Sequence, residues 1–238
     1  MQRRTLASKP NRNTESVDNY LKAILTLGGV EGRRVTGNSL AAKLGVAPAS
    51  VTNMLQKLAA SASPLVEYER HRGVLLSPAG KRRALEIVRH HRLIETFLYE
   101  VLDYPIEEVH EEAERLEHFI SERFEERIAA KLGHPRTDPH GHFIPTMEGD
   151  MPQQSSILLT EAVLNDGEAA TFVVDSISDR HAPILRSLKA NGMTPGAELR
   201  VKKTSEPEGY SVRIGRSTKP LDLTQAMAAE IRILPLTK

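Results

Sequence analysis

Cysteine is absent from the 238-residue sequence. That removes disulfides and thiolate metal sites, so any bound metal must use imidazole, carboxylate, amide, carbonyl or water. No run of eighteen apolar residues offers a membrane span, and the start MQRRTLASKPNRN lacks the apolar core of a secretory signal. A soluble, cytoplasmic protein is expected. The chain also lacks HExxH, P-loop, GxSxG and GxGxxG contexts, which argues against an enzyme, and it has no repeat of fixed period.

What is present is unevenly charged. The net charge of +1 hides eleven Lys/Arg against five Asp/Glu over residues 1–80, and four against ten over residues 101–131. A basic front suits an anionic polymer, and an acidic middle suits cations. The length allows two or three small domains. We expect a mainly α chain with a β-rich C-terminal part, divided into a basic mobile arm (1–15), a winged helix-turn-helix (16–80), a helical segment with a connector (81–150) and a β-rich end (151–238).

The winged helix rests on periodicity and punctuation. Val17, Tyr20, Leu21, Ile24, Leu25 and Leu27 recur at helical spacing before Gly28-Gly29. A short helix over about 36–44 stops at Gly45, Pro48 opens a second helix to about Ala60, and LVEYE and VLL flank the basic tip Arg70-His71-Arg72-Gly73. In the second helix Val51, Met54, Leu55 and Leu58 form the core stripe. Pro48 and Ala49 at its start, Ser50 and Thr52 on its flanks, and Asn53, Gln56 and Lys57 opposite the stripe suit entry into the DNA major groove, with Arg70 and Arg72 on the wing. The plainer reading is a solvated face on a helical hairpin.

Pro78 begins a long helix, PAGKRRALEIVRHHRLIETFLYEVL, and a further helix is predicted over about 106–132. On the latter, His110, Glu114, Glu117 and His118 fall within an arc of about 100° beside the apolar stripe Val109, Ala113, Leu116, Ile120, Phe124 and Ile128. Glu111, Glu112, Glu122, Glu125 and Glu126 are placed as solvated charges. His91 and Glu95 make an i, i+4 pair on the preceding helix, so two antiparallel helices could aim six donors at one another. Exposed His and Glu on charged helices often do nothing, but both helices together point to metal binding. Nitrogen and oxygen donors without sulfur suit Mn(II) or Fe(II), with Zn(II) or Co(II) able to substitute. GHPRTDPHGHFIPTMEGDMPQQSS reads as an irregular connector. After it, ATFVVDSI, ELRVKKTS, YSVRIGRS and IRILPL read as strands of a small barrel, interrupted by the helix PILRSLKANG.

These stretches, SVDNYLKAILTL, LGVAPASVTNMLQKL, RGVLLSPAGKRRA, HHRLIETFL, VHEEAERLEHF and LGHPRTDPHGHFIP, together resemble the diphtheria toxin repressor (DtxR/MntR) family and, within it, the manganese-responsive regulators. The resemblance implies a homodimeric repressor that binds a palindromic operator, controls metal-transport and homeostasis genes, and uses divalent metal to favour its DNA-binding arrangement. It implies an SH3-like, FeoA-type domain for the β-rich end. It places His91, Glu95, His110, Glu114, Glu117 and His118 at ligand positions, with Glu114 where iron-responsive members often carry cysteine. Asn19 matches a methionine or aspartate ligand, Asp18 is its neighbour, and Lys22 falls where manganese-type members can offer glutamate. In ISDRHAPIL, Asp179 and His181 are candidates for an ancillary site. Two alternatives remain open: a metal-dependent hydrolase using the same cluster, and a metal-independent winged-helix transcription factor.

Overall fold

The computed structural model describes residues 12–152, 155–164, 168–205 and 208–236. The expected basic arm lies outside these residues up to position 11. Its remainder is helical, because α1 runs over Arg12–Gly28. None of the helices among the described residues is long and apolar enough to cross a membrane.

The chain forms two compact units that interleave along the sequence. The first holds the described residues through His91, with Glu114–Lys131 and Ile144–Pro152; the second holds Arg92–Ala113, Leu132–Phe143 and the described residues from 155 onward.

In the first unit, α1 is followed by α2 (Gly37–Leu44), α3 (Pro48–Ala59) and the hairpin β1 (Val66–Glu69) and β2 (Gly73–Leu76). Thr36 caps α2, its hydroxyl accepting from the Ser39 amide, and Gly45 ends the helix in the left-handed conformation. Pro48 starts α3, where its missing N–H costs nothing. The apolar stripes meet in a core of Leu21, Ile24, Val35, Leu40, Val51, Leu55, Val66 and Val74. A backbone bridge from Val35 to Val74 pins the hairpin to this core. At Gly73, φ is +98° and a Cβ would sit 2.4 Å from the Val35 carbonyl oxygen, so only glycine permits that approach.

Helix α4 (Pro78–Leu102) matches the sequence expectation at both ends. The single helix expected over 106–132 does not form. It is two helices, α5 (Val109–Leu116) and α6 (Glu122–Lys131). The physical reason lies at the break. Glu117 turns inward to polar partners that a continuing helix would not reach, and Ser121 opens α6 with its hydroxyl accepting from the Phe124 amide. Two further expectations change with it. Glu125 is buried rather than solvated, whereas Leu116 and Phe124, assigned to the apolar stripe, are 38% and 50% exposed.

The second unit is built on a six-stranded antiparallel sheet: β3 (Ile157–Leu158), β4 (Ala169–Ile177), β5 (Glu198–Ser205), β6 (Glu208–Ile214), β7 (Leu221–Thr224) and β8 (Ile231–Pro235), in the order β3-β8-β4-β5-β6-β7. Helix α7 (Ala182–Ala190) and the short α8 (Gln225–Ala228) complete it. Alternation along β5 and β6 buries Leu199, Val201, Tyr210 and Val212 and turns Arg200, Lys202 and Arg213 outward. The same core takes Leu185 and Leu188 from α7 and Ile106 from the turn before α5. This is the SH3-like sheet domain expected from the sequence. The connector, by contrast, is not a featureless link. Asp138, His140 and Ile144 are buried, and the His140 carbonyl accepts from the Ile177 amide at the end of β4.

Candidate metal centres and nucleic-acid interface

The six helical donors do not form one group within either unit. His91, Glu114, Glu117 and His118 belong to the first unit, Glu95 and His110 to the second. Each set has its own partners.

In the first unit the centre of the cluster is Glu117, whose side chain is fully buried. Its Oε2 lies 2.5 Å from His91 Nδ1, and its Oε1 lies 3.4 Å from His118 Nε2. His118 Nε2 is also 3.1 Å from Asn19 Oδ1. Lys22, from the next turn of α1, donates through Nζ to Glu114 Oε1 at 2.6 Å and to both oxygens of Glu117 at 2.7 and 2.9 Å. Burial alone would lower the Lys22 pKa, but the attraction of Glu117 and Glu114 raises it above the ordinary lysine value, so the ammonium stays charged. Asp18 lies on the other side of the His118 ring. Its Oδ1 accepts from Arg83 Nε at 2.6 Å, while its Oδ2 lies 3.5 Å from His118 Nδ1. That ring nitrogen is buried and has no hydrogen-bond partner. Burial works to raise the Asp18 pKa, yet His118 and Arg83 hold it below the usual carboxylate value.

A second network supports the break between α5 and α6. His90, buried on α4, has Nδ1 3.2 Å from the Glu117 carbonyl oxygen and Nε2 2.9 Å from Glu125 Oε2. Arg89 donates to the other oxygen of Glu125 and, at 2.7 Å, to the Pro145 carbonyl. Glu125 is therefore buried with two positively charged or polar donors, which is the condition under which an acid can be buried at all.

In the second unit, Glu95, His110 and Asp179 can each place one ligand atom within 4.8 Å of the others. His110 Nδ1 is 3.3 Å from Glu95 Oε1 and 3.0 Å from Asp179 Oδ2. Burial disfavours the charged imidazole, but the two carboxylates outweigh it and push the His110 pKa up to about 10. Burial acts to raise the Asp179 pKa, but the histidines facing it, His110 foremost, hold it well below the usual range.

A group that sequence reasoning missed comes from the loop D-P-H-G-H: Asp138, His140 and His142 likewise bring ligand atoms within 4.8 Å of one another. Asp138 Oδ1 accepts from the His140 and His142 amides at 2.8 and 3.0 Å, which curls the loop around the carboxylate. Gly141 completes the curl with φ +94°, and a Cβ there would lie 2.2 Å from the Asp175 carbonyl oxygen. His140 is fully buried, and its Nε2 lies 3.2 Å from the Ile106 carbonyl oxygen. A carbonyl only accepts, so Nε2 carries a proton, and the ring turns its other nitrogen, Nδ1, toward the carboxylates. That nitrogen has no hydrogen-bond partner and faces Glu95 Oε2 at 3.9 Å and Asp138 Oδ1 at 4.0 Å. A buried ring nitrogen left without a partner beside carboxylate oxygens is an arrangement that a cation would complete. The donor set of the second unit therefore fits a divalent metal.

His181, the remaining candidate, is not brought into this group. Its Nδ1 is 2.9 Å from Glu230 Oε1, and its side chain is 57% exposed.

For nucleic acid, Pro48, Ala49, Ser50, Asn53, Gln56 and Lys57 are exposed on α3, and Thr52 is half-buried with its hydroxyl donating to the Pro48 carbonyl at 3.2 Å. Arg70 and Arg72 are exposed at the wing tip. Arg72 donates to Glu69 at 3.1 Å, and Glu69 also accepts from Arg34 at 2.6 Å. The wing is thus braced at its base by Glu69, leaving Arg70 to project from the turn.

A helix-turn-helix with a braced basic wing, in a chain that also carries buried clusters of imidazole and carboxylate, defines a metal-responsive DNA-binding regulator. Comparison with known proteins gives the same class. The model of the iron-dependent repressor N-terminal DNA-binding domain matches residues 13–74, that of the iron-dependent repressor metal-binding and dimerisation domain matches 77–146, and the FeoA domain matches 164–235. The chain is 28% identical over 233 residues to the iron-dependent repressor IdeR of Mycobacterium leprae (strain TN), covering 94% of this chain and 98% of that one. It is 34% identical over 116 residues to the HTH-type transcriptional regulator MntR of Bacillus pumilus (strain SAFR-032), covering 48% of this chain and 77% of that one. A solved manganese-dependent transcriptional repressor in complex with manganese superposes with a TM-score of 0.81 at 36% identity, covering 92% of this chain and all of that one.

The chain belongs to the diphtheria toxin repressor (DtxR/MntR) family of metal-dependent transcriptional repressors. It carries both the DNA-binding and the dimerisation domain of that family, and its relatives are regulators, not enzymes, which sets aside the hydrolase alternative.

Proposed function

We propose that this protein is a manganese-responsive repressor acting in the cytoplasm as a homodimer on a palindromic operator upstream of metal-transport genes. The observation that carries the metal part is His140 Nδ1, buried without a hydrogen-bond partner against Glu95 and Asp138. Glu95, His110, Asp138, His140 and Asp179 would hold the ion in the second unit, and Asn19, His91, Glu114, Glu117 and His118 form the donor set of the first. All are nitrogen or oxygen donors, with three carboxylates in the second-unit set and two in the first-unit set, which suits Mn(II) and then Fe(II) better than a thiophilic ion. When bound, the ion supplies positive charge that neutralises converging carboxylates.

The chain's own residues do the rest. In the first unit, Asn19 and Lys22 stand on the first helix of the winged-helix segment, whereas Glu117 and His118 stand at the break between α5 and α6. Contacts between them tie the DNA-reading module to the segment that carries the dimerisation match. In the second unit, Glu95 from α4, His110 from α5, the 138–142 loop and Asp179 from the turn after β4 are drawn together, so occupancy would penalise any arrangement in which these elements separate. On DNA, Asn53 would read a base edge while Arg70, Arg72 and Lys57 contact phosphate, a division into specificity and register. The helical segment 81–150 and the sheet domain 151–238 would serve metal sensing, and 16–80 operator recognition.

Operator affinity measured with Mn(II) and then with chelator tests this reading. It predicts strong binding with metal, weak binding without, and a steep loss with salt. Equal affinity under both conditions would make the chain a metal-independent winged-helix factor.

A further inference from the structure

The two donor clusters differ in how closely a side-chain cation sits on their carboxylates. In the first unit Lys22 reaches across from α1 and places its ammonium between Glu114 and Glu117, with three donor distances of 2.6, 2.7 and 2.9 Å. Its own side chain is only 17% exposed, and the Glu117 side chain is not exposed at all. This is not a surface lysine that happens to touch an acid. It is a cation enclosed by the same carboxylates that the metal reading, on which this inference rests, assigns to the ion.

We propose that Lys22 is a tethered competitor of divalent metal at the Glu114–Glu117 pair, so that the first-unit cluster loads only when the ion displaces the ammonium.

The physical argument is one of exclusive occupancy. An ion bound to Glu117 through either oxygen takes an acceptor that Lys22 already uses, because Lys22 engages both. An ammonium and a divalent ion sharing one carboxylate pair would lie within a few ångströms of each other, and their repulsion is strong where water is scarce. Displacing the ammonium also breaks charge-assisted hydrogen bonds, the strongest kind a lysine makes. In the second unit Arg92 also stands beside the cluster, its Nε 3.6 Å from Asp138 Oδ2, a longer approach than any of the three that Lys22 makes. His140 Nδ1 has no hydrogen-bond partner there and faces Glu95 and Asp138. The first cluster thus pays a conformational tax on each ion, and such a tax lowers apparent affinity by the fraction of molecules in which the site is free. The cluster that joins α1 to the break after α5 would therefore respond only at a metal concentration high enough to displace the ammonium.

Mn(II) titration of the full-length protein, followed by the electron paramagnetic signal of the free ion, tests this with Lys22→Met, Lys22→Gln and Lys22→Arg beside the wild type. The proposal expects one class of sites to be unchanged in all three variants, and the other class to tighten by about tenfold or more in Lys22→Met and Lys22→Gln but not in Lys22→Arg. Circular dichroism at each Mn(II) concentration identifies a variant that fails to fold, and the Gln variant, which retains a hydrogen-bond donor, is the one to read if Met unfolds. Unchanged or weakened affinity of that class in a folded Gln variant overturns the proposal and makes Lys22 a structural clamp only. Absence of any Mn(II) binding by the wild type would instead overturn the metal reading itself, so the two failures are distinct.

Discussion

Two buried clusters in the same chain solve the problem of concentrated negative charge in different ways. The first-unit cluster is closed by the chain itself: Lys22 and His91 lie on Glu117, and Arg83 lies on Asp18. The second-unit cluster is closed more loosely, by His110 between Glu95 and Asp179 and by Arg92 at 3.6 Å from Asp138; each cluster keeps one buried histidine nitrogen without a hydrogen-bond partner, His118 Nδ1 in the first and His140 Nδ1 in the second. A side-chain cation makes a cluster that holds structure whether or not metal is present, and a titratable imidazole makes one that exchanges its proton for an ion. The first should therefore dominate stability, the second metal affinity.

That contrast is broken or sharpened by variants, of which Glu117→Ala should have the largest effect. It strands a buried ammonium and removes the partner of His91, so unfolding of the first unit in chelator should be destabilised by about 3–5 kcal/mol, as read by denaturant titration. Next comes Asp179→Asn, which leaves a polar group of the same size. It should cost little stability but weaken by at least about tenfold the class of Mn(II) sites that Lys22→Gln leaves unchanged, as measured by calorimetric titration. If Asp179→Asn instead destabilised the fold as much as Glu117→Ala, the assignment of stability to one cluster and affinity to the other would be lost.

At the DNA surface the expected effects are comparable or smaller. Asn53→Ala should cost about 1–3 kcal/mol at one operator position and relax the base preference there. Arg70→Ala should weaken binding to all sequences alike and lower the salt slope by about one. Binding to a set of single-base operator variants at two salt concentrations separates these outcomes.

The smallest effect is one of pH. The folded pKa of His110 is raised to about 10, above its ordinary value of 6.5. Its proton therefore contributes stability that is complete below about pH 6.5 and is lost as pH rises toward 10. The metal-free second unit should melt at lower temperature at pH 9 than at pH 7. Mn(II) at neutral pH must expel that proton, so binding heats should differ between buffers of different ionisation enthalpy.

Local rules made much of the fold legible. Thr36 and Gly45 bracket α2, Pro48 and Pro78 open α3 and α4, and alternation marks β5 and β6; each signal lies within a few residues of the element it defines. Reading 106–132 as one helix failed because the pull on Glu117 comes from Lys22 and His91, far away in sequence. Ser121 ahead of an acidic turn was the available local sign of a new helix. Asp138, His140 and His142 escaped because i, i+2, i+4 spacing in a Pro- and Gly-containing loop matches no helical face. His140 is buried with contacts to Ile106 and Ile177 that no local pattern announces. Glu125 looked solvated for the same reason, since Arg89 and His90, which neutralise it, stand on another helix.

The central claim, two unlike metal clusters in one repressor chain, is met most directly by a Mn(II) binding isotherm of the wild-type protein at neutral pH. The account predicts two classes of site, with operator binding following occupancy of the class that tightens in Lys22→Gln. A single class of identical sites, or operator binding complete before that class fills, would contradict it.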